Sequence, residues 1–134
     1  RDRCSTCSRY NKPCPQKDDT AEILEKMIRA DVIVMATPVY FYTISAQMKT
    51  LIDRCCGRYT EMGNKEFYFI ATAAEGDRKL MERTIDTFQG FLDCLENPVI
   101  KGVVYGAGVW HTGEINDKPA MREAYEMGRH CLES

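Results

Sequence analysis

The 134 residues contain no apolar run near the roughly 18 that a membrane span needs, and no basic segment leading into an apolar stretch. A cytoplasmic protein with no membrane partner is therefore expected. An excess of charge of one sign is also lacking: 18 Lys and Arg stand against 20 Asp and Glu, scattered along the chain, for a formal net charge of -2. That balance offers no basic face to track phosphates, so nucleic acid is not an expected partner. There are no internal repeats and no low-complexity tracts. The cysteines number seven, an odd count for a disulfide framework. Cys55, Cys56, Cys94 and Cys131 fall in helical patterns, where burial as small hydrophobes is expected, and a reducing compartment follows.

What is present fits one globular domain over residues 1–134, with 44% hydrophobic and 28% charged residues. Residues 1–18 are polar, rich in Cys, Lys and Pro, and read as a loop. The chain starts at Arg1 as though in mid-fold, so an upstream segment is expected. Asp19, with Glu22 three places on, is placed to cap a helix whose stripe is Ile23, Leu24, Met27 and Ile28. The apolar run Val32–Ala36 reads as a strand covered on both faces. Ser45 is an N-cap for a helix carrying Met48, Leu51, Ile52, Cys55 and Cys56 on one face.

Glu66–Thr72 reads as a second buried strand, followed by a short loop and an Asp77-capped helix with Leu80, Met81, Ile85, Phe88, Phe91, Leu92 and Leu95 inward. Asn97-Pro98 stops that helix. A third strand over Val99–Gly106 and a last helix from Pro119, with Met121, Ala124, Tyr125 and Gly128 inward, complete the pattern αβαβαβα. Strands alternating with helices predict a parallel sheet with ligands collected beyond its carboxyl ends. The Thr37–Thr43 loop after the first strand is aromatic and stiffened by Pro38. It suits a flat, aromatic ligand.

The string Thr37-Pro38-Val39-Tyr40-Phe41, then Ser45-Ala46-Gln47-Met48-Lys49 and Ile52-Asp53-Arg54, resembles the signature of the flavodoxin-like NAD(P)H-dependent FMN reductases and the related iron-sulfur flavoproteins. Ala71–Gly76 is similar to that family's second flavin loop, and Val104–Ile115 with Ala124–Gly128 resembles its last strand and helix. The resemblance implies a flavodoxin-like α/β three-layer sandwich with a parallel sheet, its N-terminal strands missing from this sequence. It implies FMN bound through Pro38, Val39, Tyr40 and Phe41 against the isoalloxazine ring, and through Thr72, Ala73, Ala74 and Gly76 at its polar edge. NAD(P)H is the implied reductant, and a quinone, a free flavin or a nitroaromatic the implied small-molecule acceptor. A homo-oligomer is implied as well. No residue is assigned a catalytic role, because the flavin carries the electron chemistry, and His111 is read as a solvated loop residue.

The family's Gly-Ser-Pro-Arg-like phosphate loop has no counterpart here. Losing two or three charge-assisted bonds, at roughly 1.5–3 kcal/mol each, would weaken FMN by about a thousandfold or more. Without the first two strands, Val32–Ala36 is expected to be an edge with apolar side chains facing water.

Cys4, Cys7 and Cys14 give C-x2-C-x6-C, which resembles the cysteine run that holds a [4Fe-4S] cluster in iron-sulfur flavoproteins. The position three before Cys4 is Arg1, so only three ligands of that run are visible. A structural zinc site meets the same objection, with both His far downstream. Three readings follow: an FMN-dependent reductase; an iron-sulfur flavoprotein electron carrier with a cluster at these cysteines; and a flavin-free interaction domain that keeps the fold.

Overall fold

The computed structural model describes residues 14–133. Its elements are α1 (Thr20–Arg29), β1 (Val32–Pro38), α2 (Ala46–Arg54), β2 (Glu66–Thr72), α3 (Arg78–Leu92), β3 (Val99–Gly106) and α4 (Pro119–Glu133). The strands form one parallel sheet in the order β1-β2-β3. In register, Pro38 faces Thr72 and Thr72 faces Gly106, so all three strands end level. Pairing of Phe67 with Ile100 and Tyr68 with Gly102 leaves Lys101 as an extra residue, a bulge in β3.

Alternation along the strands separates two faces. Ile33, Met35, Phe67, Phe69 and Val103 point to one side, where Leu24 and Met27 of α1, Met48 and Leu51 of α2, and Phe88, Phe91 and Leu92 of α3 close over them. Phe69 stacks on Phe88 with ring centroids 4.5 Å apart and planes 4° apart, and Phe67 meets Phe91 edge-on at 6.5 Å. Tyr68, Gly102 and Val104 point to the other side, toward α4. This is the three-layer α/β sandwich expected.

Lys65, itself buried, donates from Nζ to the carbonyls of Ile28 (2.8 Å) and Ala30 (2.6 Å) and closes the C-terminus of α1. β1 has no strand on its outer edge among the described residues, and Val34 is 54% exposed. Among the described residues no helix is long and apolar enough to cross a membrane.

Four readings are corrected. Asp19 lies in helical conformation and makes no side-chain cap. Asp18 takes its place, accepting from Thr20 N at 3.1 Å while Arg54 holds it, and Glu22 pairs with Lys26 instead. Cys55 and Cys56 fall in a 3-10 turn after α2. Of the four cysteines expected to be buried, only Cys55 is: Cys56 and Cys94 are exposed and Cys131 is intermediate. Burial pushes the Cys55 thiol up to about 11.

The inward face of α4 is Ala120, Ala124, Met127 and Cys131, whereas Met121, Tyr125 and Gly128 face outward. Gly102 faces this side of the helix. Met127 Sδ sits where a Cβ on Gly102 would come within 2.9 Å of it, so the glycine leaves room for Met127 to face the sheet.

Candidate functional site on the carboxyl crest of the sheet

Three loops leave the sheet side by side. The β1 loop is joined to the end of β2 by Val39 N donating to Thr72 O (2.7 Å), and Ala73 N donates across to Gly106 O (3.0 Å). Gly108 N to Glu75 O (2.8 Å) and Val109 N to Ala73 O (2.9 Å) tie the β3 loop to the β2 loop. The two predicted stretches, Pro38 to Phe41 and Thr72 to Gly76, therefore stand on one continuous crest.

Within the first loop, Tyr40 and Thr43 exchange two backbone hydrogen bonds of 3.0 and 3.1 Å around Phe41 (φ 50°) and Tyr42 (φ 60°). Positive φ at both central positions is the mark of a type I′ turn, normally filled by Asn and Gly. Two bulky aromatic residues there cost on the order of 1–2 kcal/mol each. That strain is held by what surrounds it. The buried Thr37 hydroxyl donates to Pro38 O (2.8 Å) and accepts from Ser45 N (3.0 Å), clamping the two feet of the loop. Ser45 caps α2 by accepting from Met48 N at 3.3 Å, as expected, and Ile44 is buried beneath. The Arg83 guanidinium lies 5.9 Å from the Tyr42 ring. Phe41 is left 99% exposed at the tip.

The second loop is a row of donors. Ala73 is buried against Ala71, Met81, Val39 and Tyr105, which fixes the loop from below. Beyond it, the amides of Ala74, Glu75 and Gly76 donate to no acceptor among the described residues. A Cβ on Gly76 would meet nothing within 4 Å, so the space above is open. The N-terminus of α3 also opens here, but Glu75 and Asp77 occupy it: Asp77 N donates to Glu75 Oε1 and Lys79 N to Asp77 Oδ1, both at 2.9 Å. Those carboxylates take the place an anion would need. Arg78 lies over the Tyr105 ring at 4.4 Å, and burial raises the Tyr105 hydroxyl pKa.

The third loop carries a feature that sequence reasoning missed. Glu114 Oε2 accepts from both Trp110 N (2.7 Å) and His111 N (3.1 Å), and the His111 and Trp110 amides hold its carboxyl below the usual range. The only local signal is Gly113 before Glu114: at φ +92° it turns the chain back on itself.

Of the N-terminal cysteines, Cys4 and Cys7 lie outside the described residues. Cys14 is described, and its sulfur lies 3.4 Å from Arg54 Nη2, the guanidinium that also binds Asp18. The Arg54 hydrogen bond lowers the Asp18 carboxyl pKa. No group of three or more metal-ligating side chains occurs among the described residues.

A hollow of about 700 Å³ lies elsewhere, between β3 and α4, lined by Tyr68, Lys101, Val104, Glu123, Met127 and His130. The crest itself presents free backbone donors beside a strained aromatic turn.

A parallel α/β sheet whose strands end level, with their loops side by side at the carboxyl ends, belongs to the class of folds that collect ligands at that edge. Residues 3–112 match the NADPH-dependent FMN reductase family. The chain belongs to that family, and with it to the FMN-dependent oxidoreductases. It is 46% identical over 147 residues to an iron-sulfur flavoprotein of Archaeoglobus fulgidus, covering 97% of this chain and 71% of that one. It is 32% identical over 103 residues to FMN-dependent NADH:quinone oxidoreductase 2 of Pseudomonas aeruginosa, covering 63% of this chain and 51% of that one. Among solved structures, the Trp repressor binding protein from Bacillus subtilis superposes with a TM-score of 0.71 at 23% identity, over 81% of this chain and 75% of that one. That likeness bears on the fold alone.

Proposed function

We propose that the crest binds the isoalloxazine ring of FMN and that the protein passes electrons from NAD(P)H to a small acceptor such as a quinone, a free flavin or a nitroaromatic. The observation that carries this reading is the row of unpaired amides at Ala74, Glu75 and Gly76 beside the strained aromatic turn. A flavin ring has carbonyls and ring nitrogens that need donors along one edge and an apolar face that suits aromatic and proline contact.

Pro38, Val39, Tyr40 and Phe41 would hold the face, and Thr72, Ala73, Ala74 and Gly76 the polar edge. When bound, FMN supplies the hydride and electron transfer itself. The protein holds the ring, sets its polarity through the second-loop amides, and leaves one face open. We read a second copy of the chain as the cover for that face. The phosphate end has no counterpart among the described residues, since the α3 N-terminus is filled by Glu75 and Asp77.

The experiment is equilibrium dialysis against FMN followed by anaerobic NADPH. At FMN concentrations high enough to load a site without phosphate contacts, flavin bound in excess of the dialysate that bleaches on NADPH and recovers on adding a quinone is expected; no excess flavin at those concentrations overturns the reading.

A second reading, an iron-sulfur flavoprotein, is supported by the Archaeoglobus fulgidus relative and by Cys4, Cys7 and Cys14. In it, Cys4, Cys7 and Cys14 would hold a [4Fe-4S] cluster, which would supply one-electron transfer beside FMN. Iron and sulfide bound at four each per chain, with a broad brown absorbance, would favour it.

A further inference from the structure

Trp110 is the chain's single tryptophan and is 78% exposed on the third crest loop. Indoles are costly to leave in water, and this one makes no ring contact among the described residues. Its backbone is fixed nonetheless. Gly108 and Val109 are bonded to Glu75 and Ala73 of the second loop, and the next two amides, Trp110 and His111, donate to Glu114.

The segment carrying Glu114 is anchored in turn. Ile115 packs on Gly106, so that a Cβ there would come within 2.8 Å of Ile115 Cδ1, and Lys118 N donates to Ile115 O at 3.0 Å. Four consecutive amides, 108 to 111, are thus held, and the ring they carry is free. A rigid stem under an unpartnered aromatic ring is the arrangement that binds a flat ligand at low ordering cost.

We propose that Glu114 is a positioning residue that fixes Trp110 as a side wall of the crest, on the flank opposite Phe41, against which the edge of a planar aromatic ring packs while its open face stays free. The assignment rests on the flavin reading and adds a specificity residue to it. Trp110 touches the ring, and Glu114 acts only through Trp110.

The test is a double-mutant cycle on FMN affinity, with Trp110 labelled as 5-fluorotryptophan for a one-line 19F spectrum. Trp110→Ala should weaken FMN up to about tenfold, the affinity equivalent of one lost aromatic pair. Glu114→Ala should cost about the same, and the double variant no more than either alone. The 19F line should shift on FMN binding to the wild type and stay near its free position in Glu114→Ala. Glu114→Gln keeps an acceptor oxygen in place and should restore both the shift and the affinity. Glu114→Asp, whose shorter arm withdraws that oxygen, replaces the alanine variant if it does not fold.

Wild-type affinity in Trp110→Ala overturns the proposal, as does a Glu114→Ala loss that adds to the Trp110→Ala loss. Wild-type protein that retains no FMN overturns the flavin reading and this one with it. FMN retained with an unmoved 19F line overturns this one alone.

Discussion

The helix-covered face of the sheet and its carboxyl crest treat aromatic side chains in opposite ways. Under α1, α2 and α3, Phe67, Phe69, Phe88 and Phe91 are locked into stacked and edge-on pairs away from water. On the crest, Phe41 and Trp110 stand almost bare, on backbones that are strained or strapped into place. Burial explains the first set: each ring removes apolar surface from water and fills space at interior density. It cannot explain the second, where structure is spent on holding rings out. Strain maintained by surrounding contacts is a feature of sites rather than of cores.

Changes on the two sides should therefore separate stability from binding. The largest effect is expected from Phe88→Ala, which empties the stack on Phe69. A loss of about 3–5 kcal/mol is expected, seen as a fall in melting temperature on the order of 10 °C. A fall of only a degree or two would mean that the core is not organised around these rings.

Thr37→Val comes next. It removes the clamp on the first loop and leaves the buried Ser45 N–H without its acceptor, at about 1–3 kcal/mol. It should also weaken FMN, because the turn above is no longer held. Calorimetry and a flavin titration on the same variant check both, and lost stability with unchanged binding would detach the clamp from the site.

The smallest effect has the opposite sign. Tyr42→Gly places a residue that tolerates φ 60° where tyrosine does not, and should raise stability by about 1 kcal/mol while removing the ring beside Arg83. A destabilised variant would show that the Tyr42 ring contributes more than its backbone costs.

Much of this plan was legible before any coordinates. The switch between strand runs and helical stripes gave the parallel sheet. Ser45 and Asp77 cap their helices as read, because capping is a local matter of one oxygen and one or two amides. The aromatic loop and its neighbour fell on one crest because parallel strands of similar length end level.

What stayed hidden was non-local. The side of α4 that faces the sheet carries Met127 into the room left by Gly102, and no pattern within the helix encodes that. The strap from Glu114 needs Gly113 in a left-handed conformation before the carboxylate can reach back. The capping oxygen at α1 moved from Asp19 to Asp18 because Arg54, far along the chain, holds Asp18 in place.

The most direct test of the central claim is an amide NMR titration with FMN and, separately, with riboflavin, which lacks the phosphate. The account predicts that both ligands move the same resonances: Ala74, Glu75 and Gly76 first, with Val39 to Tyr42 and Gly108 to His111 beside them. Shifts concentrated instead around Tyr68, Lys101 and Met127, at the hollow beside α4, or no shifts from riboflavin at concentrations where FMN saturates, would contradict it.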